Sequence, residues 1–440
     1  MALVIRSSFN VRQNVAMSTR NVKQLTSHRV RCIFQTMRRV YLDHTATTPL
    51  DPLVLETMTP YFGGTFGNAS SVHWFGREAK IALESSRETI ARAIGALPGE
   101  VFFTSGGTES DNFAIKGVAR AAAKKGKNRL ITSKAEHHAV LEPCDKLRDQ
   151  GMEVEVLPVD ATGLVTPGQV QLAITGSTCL ISIMHANNEV GTVYPIREIA
   201  AVAHEMGVTV HTDAVQSLGK IPVDVQELGV DLMSISAHKL YGPKGIGALY
   251  VRKGTEIDSL LEGGGQERGR RPGTENVPLA VGFAKAVGLA VAGMDQESRR
   301  LAGLRDMLEA RIREFPAAII NGHPTDRLPH ILNISFDSAR LPLEGETLLL
   351  NMDLRGIAIT SGSACTSGSM QPSHVLLAMG RDVETARSTL RFAFGKSNTA
   401  DDIESVVVAN SPISASVAPP TRHPPRVLCN PGESYPRRLW

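Results

Sequence analysis

Between residues 60 and 250 the chain alternates short β-rich runs with amphipathic helical stretches, and this alternation is the strongest constraint on its fold. The stretches between the runs, such as "REAKIALESSRETIARAIGA" and "PIREIAAVAHEMG", repeat their apolar residues with a helical period. Strand–helix alternation of this kind places parallel strands in one sheet with helices on both faces. Seven runs have strand character: "EVFFTSG", "RLITSKAE", "EVEVLPVD", "CLISIMHANNE", "GVTVHTDAVQ", "DLMSISAHK" and "GALYVR". The sequence therefore predicts an α/β fold with a mostly parallel, seven-stranded sheet, which binds its ligands at the carboxyl ends of the strands.

A second, smaller α+β domain is predicted after "GGGQERGRRPGTENVPLAVG". One long helical stretch, from about residue 278 to residue 315, precedes the runs "HILNISF", "GIAITSGSAC" and "TLRFAFG". The predicted division of the chain is a disordered basic leader (1–40), a segment that packs with the small domain (41–60), the large domain (61–295), the small domain (296–410) and a disordered proline-rich tail (411–440).

The positive charge of the chain is concentrated in its leader. Residues 1–40 carry seven Arg, one Lys and no acidic residue, whereas the whole chain has a formal charge of +3, so the remainder is net negative. Such a leader is typical of an organellar transit peptide. The alternative is a bacterial gene whose start codon is assigned too far upstream, with Met37 as the true first residue. We expect a cytoplasmic location, with the mitochondrial matrix as the alternative. The charge of the leader is no argument for nucleic-acid binding.

Hydropathy and cysteine content exclude two further classes. No apolar run approaches the roughly 20 residues that a bilayer span needs, so no membrane association is expected. The five cysteines are odd in number and widely spaced, which fits neither paired metal ligands nor a disulfide-rich secreted scaffold. We therefore expect a reducing compartment and no resident metal.

A glycine turn before a predicted helix forms a candidate anion cradle. In "FTSGGTESDNFAIKG" the N–H groups of Gly107 and Thr108 fall in the first helical turn, where the helix dipole favours a negative charge. An ordinary turn would have the same appearance. The motif is not a P-loop, because no G-x-x-x-x-G-K-[ST] pattern is present.

Another predicted strand ends at an acidic residue, Asp213, in "VHTDAVQS". A carboxylate buried there must be paired or hydrogen-bonded, since burying it alone is very costly. It could cap a helix, or it could pair with a protonated ring nitrogen of a ligand. The sequence leaves both functions open.

The stretch "DLMSISAHKLYGPKGIGALYVR" places Lys239 between two apolar runs. Desolvation pushes such an amine towards its neutral form, which is a nucleophile for aldehydes. A lysine that extends to solvent is the simpler alternative. What favours a functional role is convergence, because the cradle, the strand-end Asp, a histidine able to stack and this lysine all follow strands of one sheet. Phosphate, ring nitrogen, ring face and aldehyde are the four groups by which a protein holds pyridoxal phosphate.

The chain resembles the cysteine desulfurases that supply sulfur for iron–sulfur clusters, a pyridoxal-phosphate-dependent group of the class-V aminotransferases with the fold-type I architecture. The resemblance covers about residues 40–405 in order. It rests on "YLDHTATTPLDP", "FTSGGTESDN", "EHHAVLE", "MHANNEVG", "HTDAVQSLGK", "SISAHKLYGPKGIGALYVR", "GGGQERGRRPGTENVP", "TSGSACTSGSMQPSHVLLAMG" and "LRFAFG".

The resemblance implies a role for each matching residue. Lys239 would bind the cofactor's aldehyde covalently, Asp213 would keep its pyridine nitrogen protonated, and His137 would stack on the ring and assist proton transfer. His138, its neighbour, is expected at the surface. The remaining implied contacts are Asn188 and Gln216 with the ring oxygen, Gly107, Thr108, Ser236 and His238 with the phosphate, Thr274 with the phosphate of the neighbouring subunit, and Arg391, with Asn188, at the substrate.

Cys365 lies in "SGSACTSGS", a run so rich in glycine and serine that it predicts a mobile loop. The resemblance makes Cys365 the nucleophile that takes sulfur from the substrate, leaving alanine and a persulfide, and the residue that could ligate a transferred iron–sulfur cluster. The other four cysteines are interpreted as structural or incidental. The implied partners are L-cysteine, an iron–sulfur scaffold protein or another sulfur acceptor, including one for tRNA thiolation, and a second copy of the chain.

Two features depart from the family pattern. Pro272 stands where serine is usual, which alters the turn that presents Thr274, with a modest expected effect. After "DDIESVVV" the run "ANSPISASVAPPTRHPP" replaces the usual helical continuation, which puts scaffold docking in doubt. The alternatives to a cysteine desulfurase are therefore a selenocysteine lyase, an aminotransferase of the same fold, and an impaired or inactive binding subunit.

Overall fold

The computed structural model describes residues 38–361 and 371–407. The leader up to residue 37, the segment 362–370 that contains Cys365, and the tail from residue 408 lie outside the described residues. The strands in chain order are β1 (Val40–Tyr41), β2 (Val101–Thr104), β3 (Arg129–Ser133), β4 (Glu153–Leu157), β5 (Thr178–Ser182), β6 (Thr209–Asp213), β7 (Leu232–Ser236), β8 (Gly247–Val251), β9 (Ala318–Asn321), β10 (Ile331–Phe336), β11 (Ile357–Ala358) and β12 (Thr389–Ala393).

Helices surround these strands. They are α1 (Pro52–Met58), α2 (Trp74–Ala93), α3 (Gly107–Ala123), α4 (His138–Asp149), α5 (Pro167–Ala173), α6 (Ile196–Glu205), α7 (Val225–Leu228), α8 (Val277–Ala292), α9 (Met294–Ile312), α10 (Gly345–Leu354), α11 (His374–Ala378), α12 (Val383–Arg387) and α13 (400–407). Four short 3-10 turns complete the described elements, at Thr59–Phe62, Pro98–Glu100, Ala237–Lys239 and Gln266–Gly269.

The central sheet has seven strands in the order β2-β8-β7-β6-β5-β3-β4. Every neighbouring pair is parallel except those made by β8, which runs antiparallel to both β2 and β7. All five residues of β5, β7 and β8 are buried, because helices cover both faces of the sheet. The predicted α/β fold with a mostly parallel, seven-stranded sheet is therefore confirmed.

The second core is built on a three-stranded antiparallel sheet, β12-β10-β9, and on the parallel pair β1-β11. Helix α9 contributes Leu301, Leu304 and Leu308 to this core. The N-terminal segment is divided between the two cores, since Leu42 lies in the small core while Val54 and Met58 lie in the large one. The segment 41–60, which was predicted to pack with the small domain, thus contributes residues to both cores.

The helical stretch predicted from about residue 278 to residue 315 is helical over most of its length but is not continuous. Two helices occupy this stretch, α8 and α9, and they are bent by 71° with respect to each other. Gly293 separates them, and glycine costs about 1 kcal/mol in a helix interior relative to alanine. The bend lets α8 bury apolar residues in the large core and α9 in the small one.

The bilayer-span criterion gives one borderline case among the described residues. None of their helices is by itself long and apolar enough to cross a membrane, and the bent pair of α8 and α9 meets the criterion on length and composition alone.

Candidate active site

A cavity of about 260 Å³ opens at the carboxyl ends of the parallel strands. Its walls come from the first turn of α3, from the segments that follow β3, β5, β6 and β7, and from β7 itself. Nine of the twelve residues that the sequence suggested for the site line it, namely Gly107, Thr108, His137, Asn188, Asp213, Gln216, Ser236, His238 and Lys239.

Lys239 closes the 3-10 turn that follows β7. Its Nζ donates hydrogen bonds to the carbonyl oxygens of Thr45 and Ala46, the latter at 2.8 Å. Burial and, after it, the positive charge of Arg391 lower the pKa of Lys239 to about 8, although the carboxylates of Asp213 and Asp43 act in the opposite direction. With this pKa about a tenth of the amines are neutral at pH 7, far more than for an ordinary lysine, so the amine can attack an aldehyde carbon.

Asp213 ends β6 and presents its carboxylate to the cavity. Its Oδ1 accepts a hydrogen bond from the Val215 N–H at 2.8 Å, which stabilises a turn rather than a helix. Burial raises the pKa of Asp213, and the same cause raises the pKa of Asp111 well above its usual range and that of Glu136 to about 8. A protonated ring nitrogen beside Asp213 would bring a positive charge next to these buried carboxyl groups. That charge would stabilise the ionised form of Asp213.

The first turn of α3 forms the anion cradle. No side chain caps this helix at Gly106, so no cap competes for the N–H groups of Gly107 and Thr108. A Cβ on Gly107 would lie 2.8 Å from the Val215 side chain, so the close approach of the backbone here requires glycine. Ser236 supports the same interpretation, because its buried hydroxyl lines the cavity and has no hydrogen-bond partner among the residues that the structure describes. These groups fit a phosphate ester.

His137 stands at the start of α4 and lines the cavity. Its Nδ1 accepts the Ala139 N–H at 3.0 Å, which fixes the ring and leaves the proton on Nε2. Burial lowers the pKa of His137 to about 4, with the charge of Lys239 as the next cause, so the ring is neutral at pH 7. A neutral, fixed imidazole can stack on an aromatic ligand. His138 is exposed, as expected, and its Nδ1 lies 3.8 Å from a carboxylate oxygen of Glu142.

Three predicted residues are not among those lining the cavity. Arg391, in β12, is buried, pairs with Asp43 at 2.9 Å, and donates a bond of 3.0 Å to the carbonyl oxygen of the cavity residue Asn188. Thr274 is exposed beside a separate cavity of about 210 Å³. Cys365 lies outside the described residues.

The loop that carries Thr274 is nevertheless fixed firmly to the large domain. Glu267 forms a bidentate ion pair with Arg87, both bonds 2.7 Å long and both side chains 3% exposed. Arg271 binds both carboxylate oxygens of Glu109, the residue after the cradle threonine. The loop is therefore held against the helix that forms the phosphate cradle.

The sequence motifs gave no individual role to residues 43–48, which contact the cavity residues directly. The Thr45 carbonyl accepts bonds from Lys239 and from Gln216 Nε2, the latter at 3.1 Å. The Thr48 hydroxyl donates to the His238 carbonyl at 2.8 Å. The hydroxyl-rich run "DHTATT" was a signal, but about 190 residues separate it from the lysine, and only the tertiary structure brings them together.

Asp111 and Glu136 are also missing from the sequence-based site. Glu136 accepts bonds from the Ser133 hydroxyl and the Met184 N–H, and its second oxygen is buried without a partner. Asp111 is 1% exposed and faces the sheet from α3, at 3.7 Å from the ring of His211. For Asp111 the only sequence signal was an acidic residue on the apolar face of an amphipathic helix, and Glu136, in the turn before α4, had no comparable signal.

Two cysteines among the described residues are poor nucleophiles. Cys144 and Cys179 are buried, and burial raises their pKa values to about 12 and about 11. Thiols with such pKa values carry almost no thiolate at neutral pH, so they are inert. This agrees with their interpretation as structural residues.

The cavity as a whole fits pyridoxal phosphate. The amine of lowered pKa suits the cofactor's aldehyde, and the buried carboxylate suits its ring nitrogen. The fixed imidazole can lie against the ring face. The uncapped N-terminus of α3 and the Ser236 hydroxyl, which has no partner among the described residues, suit the phosphate. When bound, the cofactor supplies an electron-withdrawing ring conjugated to an aldehyde carbon, which takes up electrons from bonds of an attached amino acid.

Comparison with known proteins agrees with this site. Residues 40–406 match the family described as aminotransferase class-V. The chain is 53% identical over 370 residues to a cysteine desulfurase IscS from Dictyoglomus turgidum, covering 83% of this chain and 92% of that one. It is 50% identical to a cysteine desulfurase IscS from Methanosarcina thermophila, covering 84% of this chain and 90% of that one. Among solved structures, a NifS-like protein superposes with a TM-score of 0.80 at 38% identity, covering 86% of this chain and all of that one. With a family match across most of its length, the chain belongs to the class-V aminotransferases.

Proposed function

We propose that this protein is a pyridoxal-phosphate-dependent cysteine desulfurase that converts L-cysteine to L-alanine and passes the sulfur on for iron–sulfur cluster assembly. The observation that carries the proposal is the cavity at the strand ends, where Lys239, Asp213, His137 and the α3 cradle meet. The identity of about 50% to curated cysteine desulfurases supports the choice of substrate.

The residues around the cavity have separate roles in this reaction. Lys239 holds the cofactor and, once released by the substrate, is positioned to move the proton from the substrate α-carbon. Asp213 keeps the ring nitrogen protonated, and His137 keeps the ring plane in place. Arg391 orients the substrate by binding its carboxylate with the planar guanidinium, in place of its present partner Asp43.

The sulfur transfer balances without an external oxidant. A thiolate of Cys365 forms an S–S bond to the substrate sulfur while the substrate C–S bond breaks, and the electron pair of that bond stays on carbon. Proton uptake at that carbon gives alanine. In the net reaction the substrate CH2–SH group becomes the methyl group of alanine, and the enzyme thiol becomes a persulfide. Thiolate character and access are what make a cysteine reactive, and neither buried thiol provides them.

A Cys365→Ala variant tests the proposal. We expect it to retain cofactor absorbance and the spectral change on adding cysteine, and to lose both alanine release and protein-bound persulfide. Persulfide is measured by mass spectrometry after trapping with an alkylating reagent. Parental turnover with persulfide elsewhere on the protein would show that the nucleophile is misassigned.

The same assays separate the alternatives. Alanine release from selenocysteine but not from cysteine would identify a selenocysteine lyase. Transfer of the amino group to a keto acid without persulfide would identify an aminotransferase. Cofactor binding with no turnover of either amino acid would identify an impaired or inactive subunit.

We also propose a homodimer. Seven large apolar side chains on α1, the following turn, the loop after it and α2 are exposed in the single chain: Leu53, Leu55, Phe62, Phe66, Val72, Trp74 and Ile81, with Phe66 66% and Ile81 69% exposed. Exposed apolar surface on this scale supports an association site. Thr274 does not line the cofactor cavity of its own chain and is exposed, so it can contact the phosphate bound to a second subunit. Light scattering on Ile81→Asp tests this, and an unchanged mass with full activity would contradict it.

We propose a cytoplasmic enzyme, with the mitochondrial matrix as the alternative; one similar protein, 48% identical, is a mitochondrial cysteine desulfurase of Arthroderma benhamiae. The mass of the mature N-terminus distinguishes a start at Met37 from a cleaved leader.

A further inference from the structure

We infer that Glu189 and Ser373 are positioning residues for sulfur transfer, because the hydrogen bond between them attaches the chain after the Cys365 segment to the loop that holds the substrate-binding arginine. This inference rests on the proposed function and deepens it. Neither residue touches the cofactor site itself, and the sequence motifs gave a role to neither.

The bond between these two residues is short and buried. Ser373 Oγ donates to Glu189 Oε2 over 2.5 Å, and the two residues are 2% and 3% exposed. Hydrogen bonds to a carboxylate in such surroundings are about twice as strong as neutral ones. Ser373 also accepts the Leu376 N–H at 3.2 Å and so caps α11. One hydroxyl thus fixes both the start of this helix and its attachment to the large domain.

Glu189 is itself rigidly held next to a site residue. Its N–H and that of Val190 donate to Asn187 Oδ1 at 2.8 and 2.9 Å, and its carbonyl accepts from Asn333 at 3.2 Å. The preceding residue, Asn188, lines the cavity and accepts the bond from Arg391. The backbone of Glu189 is therefore fixed next to the Asn188 carbonyl that accepts the bond from Arg391.

A second bond reinforces the attachment on the other side of the cavity. His374 Nε2 donates to the Glu136 carbonyl at 2.9 Å, directly before the stacking residue His137. The ring of His374 also lies 4.8 Å from that of His138. The residues after the Cys365 segment are thus tied to both segments that carry cofactor contacts.

The chain before the Cys365 segment is attached to the same arginine. The N–H of Arg391 donates to the Thr360 carbonyl at 2.6 Å, in an isolated β-bridge between these two residues. In the sequence Cys365 therefore lies between two attachment points, residues 360 and 373. Thr360 is bonded directly to Arg391, and Ser373 is bonded to Glu189, the residue after the Asn188 carbonyl that Arg391 also contacts. Fixing the two ends of a segment limits where its thiol can go, which raises the chance of a productive approach to the substrate sulfur.

Single-turnover measurements on four variants test the inference. Glu189→Met removes the acceptor at nearly constant size and leaves the α11 cap intact, whereas Ser373→Ala removes both. Glu189→Gln keeps an acceptor oxygen and serves as the conservative rescue. Ser298→Ala is the matched control, because Ser298 Oγ also makes a short bond, of 2.6 Å, to the Lys220 carbonyl away from the cavity.

We expect persulfide on Cys365 to form about tenfold more slowly in Glu189→Met and Ser373→Ala, with the cofactor content and the spectral response to cysteine unchanged. Glu189→Gln should recover to within about threefold of the parent, and the double variant should be no slower than either single one. Ser298→Ala should match the parent. In cofactor-free protein, iodoacetamide should alkylate Cys365 several-fold faster in the slow variants, because the attachment of the chain at residue 373 is weakened.

Three results would overturn the inference. The first is a parental rate of persulfide formation in folded Glu189→Met. The second is an equal loss in the spectral response to cysteine, which indicates general structural damage. The third is additive losses in the double variant. Cys365→Ser, measured in parallel, separates the two levels: persulfide at the parental rate in that variant refutes the role of Cys365 as nucleophile in the proposed function, whereas its absence combined with a fast Glu189→Met refutes only the positioning role.

Discussion

The lowered pKa of Lys239 makes a quantitative prediction about how the apoprotein binds pyridoxal phosphate. A change from 10.5 to about 8 corresponds to about 3.4 kcal/mol between the charged and neutral forms. At pH 7 about a tenth of the amines are then neutral, roughly 300 times more than for an unperturbed lysine. Burial is the main cause, and the nearby Arg391 is the second.

Because only the neutral amine attacks the aldehyde, the rate of covalent cofactor attachment should follow the neutral fraction. It should rise about tenfold per pH unit below pH 7 and level off above about pH 8.5. Stopped-flow absorbance from pH 6 to pH 10, with borohydride trapping and peptide mapping at Lys239, measures it. A free lysine derivative followed in parallel corrects for the titration of pyridoxal phosphate itself.

Two variants test the cause of the shift. Arg391→Met removes the second cause and should move the midpoint upward while leaving it well below 10, because burial remains. Lys220→Met removes another buried lysine, with a pKa of about 8, that does not line the cavity, and it should leave the profile unchanged. A rate that still rises tenfold between pH 9 and pH 10 in the parent protein would refute the reasoning, since the amine would then titrate as an ordinary lysine.

Three further substitutions have defined outcomes. Asp213→Asn removes the partner of the ring nitrogen and should lower kcat about 100-fold while the protein stays folded; a kcat within threefold of the parent, measured by alanine release, contradicts that role. Arg391→Lys loses the bidentate fork and should raise KM for cysteine about tenfold or more with little change in cofactor absorbance, and an unchanged KM would show that another residue binds the carboxylate. Glu267→Ala leaves Arg87 buried without its bidentate partner and should lower the free energy of unfolding by about 3–5 kcal/mol in urea titrations; a loss below about 1 kcal/mol would mean that the pair adds little.

The sheet and most of the cavity could be predicted because their signals are local. Strand runs, helical periods and glycine turns lie within short windows, and parallel topology places every strand's carboxyl end at one edge. Asp213 ends β6 and Lys239 follows β7, and these strands are paired neighbours in the sheet, so the convergence of the two side chains is a consequence of strand order. Local signals have a limit in the helical stretch from about residue 278 to residue 315: they indicate helix, but only packing against two different cores decides the bend at Gly293.

The amino-acid sequence by itself determined the class of fold, the strand ends that carry polar groups, and the family, because these are set by residue type and spacing along the chain. The tertiary structure alone decided that residues 43–48 accept the bonds of Lys239, that Asp43 pairs with Arg391, and that Glu189 holds Ser373. Each of these contacts joins residues more than 180 positions apart. Burial, which sets the pKa values in the cavity, is likewise a property of the packed molecule, since no residue has a fixed solvent exposure until the cores around it have formed.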